Sequence, residues 1–185
     1  MEAISIMMED HRNIRRMTSV MNRIITSIRN TKEVNEQDLR DVVDFCRGYA
    51  DEHHHAKEEK ILFPELLKID FDNFDGMINH VMLVEHDEGR KHATGIETNL
   101  NKYLETQDEK YLSGIIIELS YYIQTLNEHT EKEDECLYVF AENALPASSK
   151  EYVDALTKEK QQADIDAKIV EHYLTILERL EKTYA

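Results

Sequence analysis

Apolar side chains recur every three or four residues along almost the whole chain, which is the spacing of an amphipathic α-helix. The stripe near the N-terminus consists of Ile4, Met7, His11, Ile14, Met17, Met21, Ile24 and Ile28. The 185 residues include 5 glycines and 2 prolines, too few for the many turns of an all-β fold. The sequence therefore predicts an all-α protein made of long helices.

Breaks in this periodicity divide the chain into five predicted helices. They are expected at about 4–31, 36–68, 77–105, 109–143 and 151–183. A polar loop is predicted at 70–76, and a kink or break is predicted near Phe63 because Pro64 follows it. Four long helices with short connectors predict an up-down-up-down four-helix bundle over residues 1–145. We expect the additional C-terminal helix, within residues 149–185, to pack on the outside of the bundle or to cap one end.

Asp and Glu number 38 while Lys and Arg number 22, so the formal net charge is −16. Such a chain repels phosphate groups, which argues against nucleic acid and anionic membrane as partners. No apolar run reaches the roughly 18 residues of a spanning helix, and acids stand where a signal peptide would carry basic residues. We therefore expect a cytoplasmic protein in which Cys46 and Cys136 are small buried thiols.

Three polar residues interrupt the apolar stripes. His11 lies on the first stripe, and His129 and Glu133 lie on the stripe of the fourth predicted helix, where leucine would be expected. A polar side chain in a core costs stability unless it is paired or bound to a metal. A lone histidine of this kind is most often a satisfied core residue, but the pattern recurs on four predicted helices, which favours a binding site.

A weak internal repeat aligns residues 54–63 with residues 129–138. In both copies a histidine precedes a glutamate by four residues, so that each pair shares one helix face. Neutral imidazole and carboxylate together suit iron, manganese or zinc. The repeat therefore predicts metal-binding turns on two different helices.

Helix register decides among the consecutive histidines His53, His54 and His55. His54 continues an apolar line along the predicted helix, whereas His55 continues a polar one. This predicts His54 and Glu58 as the inward-facing pair, with His55 and Glu59 as the second choice. A one-residue slip in helix phase would favour that second pair.

The remaining histidines are separated by the same test. His86 continues the apolar stripe of the third predicted helix and is predicted to be a ligand, whereas His80 and His92 lie off that stripe and are expected at the surface. His172 lies on an apolar line of the fifth predicted helix. It is interpreted either as a core histidine or, together with Glu171, as a further ligand.

Four imidazoles and two carboxylates are thus expected to meet inside the bundle. The candidate metal ligands are His11, His54, Glu58, His86, His129 and Glu133. Six protein ligands are too many for one tetrahedral zinc site, whereas two ions bridged by the carboxylates use them all. Ferritin-like sites repeat Glu-x-x-His and are richer in carboxylate, which fits this chain badly.

Four motifs in this order resemble the hemerythrin-like family with the His-His-Glu (HHE) cation-binding domain, and the resemblance covers about Ile4 to Glu142. They are Glu9-Asp10-His11, His54-His55-Ala56-Lys57-Glu58-Glu59 with Leu62-Phe63-Pro64, Glu85-His86 with Gly89-Arg90, and His129-x-x-Lys132-Glu133-Asp134. The tail, with Glu171-His172-Tyr173, is similar to the extra C-terminal helix of some bacterial and archaeal members.

The resemblance implies a four-helix bundle that holds two non-haem iron ions, oxo- or hydroxo-bridged. Members of the family bind dioxygen, sense oxygen or redox state, handle nitric oxide or peroxide, or store and repair iron. The oxygen carriers have two histidines four residues apart on the third helix, whereas Arg90 follows His86 here and Met82 precedes it at that spacing. One iron ligand of the carrier pattern is therefore missing, which leaves room for a side chain of the fifth helix or for water.

We accordingly expect a di-iron protein that binds, senses or reduces a small ligand, namely dioxygen, nitric oxide or peroxide. The alternative is a metal-dependent sensor or interaction module, or an iron-handling protein, without turnover. A third interpretation is a metal-free helical scaffold. The sequence leaves open whether the protein is an enzyme, and it identifies no protein partner.

Overall fold

Helices make up nearly all of the structure. The computed structural model describes residues 1–69 and 71–185, apart from the side chains of residues 71–73. In chain order the helices are α1 (Glu2–Thr31), α2 (Glu36–Phe45), π1 (Cys46–His55), π2 (Glu58–Leu62), α3 (Phe63–Ile69), α4 (Phe71–Met77), π3 (Ile78–Met82), α5 (Leu83–Thr106), α6 (Glu109–Lys132), π4 (Glu133–Leu137), α7 (Tyr138–Ala144), α8 (Ala147–Asp166) and α9 (Ile169–Thr183). Within this described part there is no β-strand, and no helix has the length and apolar character needed to cross a membrane.

Four rods form an up-down-up-down bundle, as the sequence predicts. The first rod is α1, the second runs from α2 to α3, the third is π3 with α5, and the fourth runs from α6 to α7. Helices α1 and α5 both pack against α6, and α2 packs against α5. Tight connectors reverse the chain. Asn35 caps α2 by accepting a hydrogen bond from the Asp38 backbone N–H at 3.1 Å, and Asp108 caps α6 in the same way from Lys110 at 3.0 Å.

Two apolar cores fill the bundle, one above the other. The upper core includes Ile14, Met17, Ala50, Ala93, Leu119, Leu126 and Leu177. The lower core includes Met7, Ile61, Leu66, Met82, Leu137 and Val153. Each rod passes from one core to the other, so the residues between the two cores on all four rods face a common layer.

The second rod stays helical through Pro64. Its hydrogen bonding changes from π to α at Phe63, whose N–H donates to the Glu58 carbonyl five residues back. The irregularity predicted near Phe63 is therefore a change of helix type. Pro64 has no backbone N–H, so the rod lacks one backbone hydrogen bond where the helix type changes.

The prediction of a polar loop at 70–76 is wrong for most of that range. Residues Phe71–Met77 form α4, and Asp70 lies outside the described residues. Phe74 is buried in the lower core, and Ile78 and Met82 follow it at intervals of four. This apolar spacing, continuous with the third rod, outweighs the acidic and glycine-containing composition that suggested a loop.

The single predicted C-terminal helix is two helices. The chain turns at Lys168, whose φ of 59° is left-handed, between α8 and α9. The turn allows α8 to lie along the lower core through Val153 and α9 to lie along the upper core through Leu177 and Leu180. Because neither glycine nor proline marks this turn, composition did not reveal it.

The fourth rod changes register at π4. Cys136 and Phe140 continue the three- and four-residue spacing of His129 and Glu133 but are exposed, whereas Leu137, Tyr138 and Ala141 are buried in their place. Each π-type hydrogen bond spans one residue more than an α-type bond, so residues beyond it are rotated relative to an α-helical extrapolation. The prediction of a buried thiol is therefore confirmed for Cys46 and wrong for Cys136.

Candidate metal centre

All six candidate ligands lie in the layer between the two cores. None of them is more than 1 % exposed, and they come from all four rods. On each rod the ligand follows or precedes a core residue within one or two turns, as His11 does between Met7 and Ile14. The apolar cores above and below therefore shield the polar layer from water.

The layer contains two groups of potential metal ligands. The first group is His11, His54, Glu58 and Glu133, and the second is His55, Glu58, His86 and His129. Within each group the ligand atoms lie within 4.8 Å of one another. Glu58 belongs to both groups, so its carboxylate lies between them.

Glu133 also contacts imidazoles of both groups. Its Oε2 lies 3.3 Å from His11 Nε2 and 3.1 Å from His129 Nε2. Glu58 Oε2 lies 3.6 Å from His54 Nε2 and 3.5 Å from His86 Nε2. Both carboxylates therefore lie between the imidazoles of the two groups.

The spacing between imidazole nitrogens fits metal coordination. His11 Nε2 and His54 Nε2 are 2.8 Å apart, and His86 Nε2 and His129 Nε2 are 3.0 Å apart. Two donors bound at about 2.1 Å and at right angles lie about 3 Å from each other. Each pair of facing nitrogens therefore has the separation of two adjacent ligands on one cation.

The other ring nitrogen of every one of these five histidines faces a carboxylate. The Nδ1–carboxylate pairs are His11–Asp134 at 2.7 Å, His54–Asp10 at 3.3 Å, His55–Asp51 at 3.3 Å, His86–Glu59 at 2.6 Å and His129–Glu85 at 3.0 Å. A carboxylate accepts, so each Nδ1–H donates and each Nε2 is turned toward the layer. This arrangement orients metal-bound histidines and raises their basicity. Five core histidines without a common role would not all be expected to have such a carboxylate partner.

Several buried atoms of the layer have no hydrogen-bond partner within the protein. They are both carboxylate oxygens of Glu133, Oε2 of Glu58 and Nε2 of His55. An unpaired buried anion is costly, and a bound cation removes that cost. The donor set, imidazole nitrogens with carboxylate oxygens, therefore fits the metal ions that the sequence indicated.

The carboxylates raise the pKa of two imidazoles of the layer, which shows that they stabilise positive charge there. Burial opposes protonation of His11, but Asp134 and Glu133 raise its pKa to about 9. Burial also opposes protonation of His129, and Glu133 and Glu85 raise its pKa to about 10. A metal ion binds the unprotonated imidazole, so metal binding replaces these protons as the compensating charge.

His55 is the member of the layer that the predicted set omitted. The prediction that His55 faces a polar side is wrong, because its side chain is only 5 % exposed and lies in the second group. The physical reason is π1, which ends at His55 and shifts the helix phase so that His54 and His55 both reach the layer. The run of consecutive histidines is the available signal, and a one-residue slip in helix phase is the condition under which the sequence favours His55.

Arg90 does not face the layer, although it follows His86 by one turn. Its guanidinium donates to Asp51 at 2.7 Å and to Glu59 at 2.6 Å. These are the carboxylates that hold Nδ1 of His55 and His86, so Arg90 fixes the outer partners of the second group. Glu59, which belongs to the second-choice pair, likewise lies outside the layer and accepts a hydrogen bond from His86 Nδ1.

Four other candidate residues lie outside both groups. His80 is exposed, and His92 pairs with Glu118 at 2.7 Å. His172 is 58 % exposed beside Asp44, and Glu171 is exposed as well. The reading of His172 as a core histidine is wrong because the apolar line on which it rested crosses the turn between α8 and α9.

Tyr138 is a further residue of the layer that sequence reasoning did not assign. Its hydroxyl donates to Glu58 Oε1 at 2.5 Å, and its ring stacks on His11 at 5.4 Å with planes 9° apart. Burial and the carboxylates of Glu58 and Glu133 raise its pKa well above the usual range, so the hydroxyl stays protonated. The aromatic position in the internal repeat was the only signal for it.

A cavity of about 310 Å³ opens beside the second group. His55 forms part of its wall, with Cys46, Gly89, Ala93 and Tyr122 among the other lining residues. Gly89 allows the third rod to approach Leu126 closely, since a Cβ there would lie 3.3 Å from Leu126 Cδ2. The cavity is large enough for a small molecule to reach the neighbourhood of the layer.

The family model of the hemerythrin HHE cation-binding domain matches residues 2–141. The match includes all four ligand-bearing rods and ends before α8. No curated protein and no solved structure was found to match the chain at a significant level.

Proposed function

The chain belongs to the hemerythrin family of HHE cation-binding domains, and from this premise we propose that it is a non-haem di-iron protein that binds, senses or reduces dioxygen, nitric oxide or peroxide. The observation that carries the proposal is the shared position of Glu58 between two groups of buried ligands. One ion would be held by His11, His54 and the two glutamates. The other would be held by His55, His86, His129 and the same carboxylates.

Iron is the metal that this donor set and this surrounding favour for such a role. Imidazole with carboxylate suits iron, manganese and zinc, but seven protein donors exceed what a tetrahedral zinc site uses. Two bound irons would supply Lewis acidity and reversible one-electron chemistry to a small ligand. The two apolar cores would exclude bulk water from that reaction.

The residues of the chain select the size of the ligand. The layer is buried, and the cavity beside His55 has a volume of about 310 Å³. Diatomic molecules and peroxide are small enough to enter such a cavity and to reach the part of its wall that His55 forms. The Tyr138 hydroxyl, held on Glu58, keeps one hydrogen-bond donor within the layer.

The proposal is tested by loading metal-free protein with two equivalents of Fe²⁺ anaerobically and adding each small ligand separately. We expect at least one of dioxygen, nitric oxide and peroxide to change the absorption spectrum at a stoichiometry set by the di-iron centre. Repeated consumption of the ligand would identify turnover, and a single stoichiometric change would identify binding or sensing. A loaded protein whose spectrum responds to none of the three ligands would contradict the proposal.

The cavity offers a structural control for this experiment. Thr94 lines the cavity and is exposed, whereas Thr98, one turn later on α5, is exposed but does not line it. Thr94→Trp is expected to slow ligand association several-fold without changing the iron content. Thr98→Trp should leave both unchanged, and equal rates for the two variants would mean that ligands enter elsewhere.

A further inference from the structure

Helix α8 lies beyond the residues that match the family, yet one of its side chains contacts a buried histidine that adjoins the layer. Asp164, near the end of α8, is 5 % exposed. Its Oδ2 accepts a hydrogen bond from His53 Nδ1 at 2.5 Å. His53 directly precedes His54 and is itself buried.

A continuous line of hydrogen bonds joins Asp164 to the first group of ligands. His53 Nε2 accepts from Lys57 Nζ at 2.9 Å, and Lys57 Nζ also donates to Asp10 Oδ2 at 2.7 Å. That same oxygen of Asp10 accepts from His54 Nδ1 at 3.3 Å. Four contacts therefore connect α8 with the imidazole of His54.

The polar groups of this line are held in place from both ends. Lys57 is fully buried, and its ammonium contacts both Asp10 and His53. The other oxygen of Asp10 accepts from the Tyr49 hydroxyl at 3.2 Å. A buried network of this kind is stable only while each member keeps its partners, so loss of Asp164 would leave His53 Nδ1 unpaired and release its ring.

The second group has no such connection in the described part of the chain. Its outer carboxylates are Asp51, Glu59 and Glu85, whose hydrogen-bond partners there lie within the four rods. The line through His53 ends at His54, a member of the first group alone. A change in Asp164 is therefore transmitted to one side of the layer.

We propose that Asp164 is a positioning residue of the metal centre, acting through His53, Lys57 and Asp10 to hold the imidazole of His54. The C-terminal helices thereby set the affinity of the first group for its ion and leave that of the second group unchanged. This inference rests on the proposed function, in which each group holds one ion. Partners that orient a metal-bound histidine typically change metal affinity by about 10- to 100-fold.

The hydrogen bond between Asp164 and His53 is separate from the apolar packing of α8. A cavity of about 420 Å³ lies beside Asp164, with His53, Lys160 and Tyr173 among its walls. The packing of α8 on the lower core comes from Val153, about three turns away. Substitution of Asp164 therefore removes hydrogen bonds without opening an apolar core.

The test is an anaerobic titration of the metal-free full-length chain with Co²⁺, followed by visible absorption. We expect the original chain to take up two equivalents, and Asp164→Ala to bind one of them about 10-fold more weakly, the lower end of the range for direct partners, with the absorption of the other unchanged. Asp164→Asn retains an oxygen that accepts from His53 and is expected to restore most of the lost affinity. Circular dichroism of each variant checks that the helices remain.

Asp154→Ala is the matched control. Asp154 lies on the same helix and accepts from the Ala3 backbone N–H at 2.8 Å, but it does not belong to the line. It should leave both Co²⁺ ions bound as before. Equal weakening of both ions in Asp164→Ala, or no change in either, would overturn the positioning role while the two-ion proposal stands. Uptake of fewer than two ions by the original chain would overturn both.

Discussion

His55 lies face to face with His86, with ring centroids 3.8 Å apart and ring planes 8° apart. The two side chains belong to different rods, and both Nδ1 atoms donate to carboxylates that Arg90 also binds. The second group thus obtains an imidazole from the end of π1. Neither Glu171 nor His172 belongs to either group.

The position of His55 changes the expectation for histidine variants. Sequence register alone predicts that His54→Ala loses far more metal than His55→Ala. The structure places the two residues in different groups, so we expect each variant to lose about one of two bound ions. Metal analysis after anaerobic loading measures this, with exposed His80→Ala as the control. A His55→Ala variant that keeps both ions would contradict the assignment.

Substitution of either buried glutamate should weaken both ions, whereas substitution of one histidine should affect one ion. Because Glu58 and Glu133 both contact imidazoles of both groups, Glu58→Gln and Glu133→Gln are each expected to weaken the binding of both ions. Titration with Co²⁺ distinguishes this from a one-ion defect. Glu88→Gln, at an exposed glutamate of α5, serves as the control. Loss of one ion alone in either variant would show that its carboxylate does not bridge.

Tyr138→Phe removes the donor to Glu58 and keeps the ring that stacks on His11. We expect the metal-free variant to lose about 1–3 kcal/mol in free energy of unfolding, because a buried carboxylate oxygen loses its hydrogen bond. The iron content should stay at two per chain, with a shifted absorption spectrum. Urea denaturation and absorption measure the two effects, and exposed Tyr152→Phe should show neither. An unchanged spectrum would place Tyr138 outside the electronic environment of the metals.

The two thiols should differ sharply in reactivity. Burial raises the pKa of the Cys46 thiol to about 12, whereas Cys136 is exposed. Since the thiolate is the reactive form, one thiol per chain should react with a disulfide reagent at pH 8 in the folded protein, and two after unfolding. This raised pKa of Cys46 also makes folding less favourable at high pH, because only the unfolded chain ionises Cys46 between about pH 8.5 and 12. Two rapid reactions in the folded state would contradict the buried position.

The sequence predicted the bundle and the six buried candidate ligands because both depend on periodicity. Apolar stripes define the rods, and a polar residue on such a stripe, as at His11 or His129, stands out. The ligand role of those six residues remains a prediction. Their burial and mutual proximity follow from the same stripes that form the two cores.

Two of the features that the sequence missed share one physical cause. π-type hydrogen bonding at π1 brings His55 into the layer, and at π4 it replaces Cys136 with Leu137 in the core. An α-helical extrapolation along one rod does not include this change in hydrogen bonding, so it places the residues beyond it on the wrong side. The turn at Lys168 is similar, since packing of α8 and α9 on separate cores decides it.

Metal analysis of anaerobically purified protein, together with its absorption spectrum, tests whether two ions share Glu58 inside this bundle. We expect about two irons per chain and, after oxidation, the near-ultraviolet absorption of a bridged di-iron centre. A well-loaded preparation holding one zinc ion and no iron would show that the two groups do not form a di-iron centre.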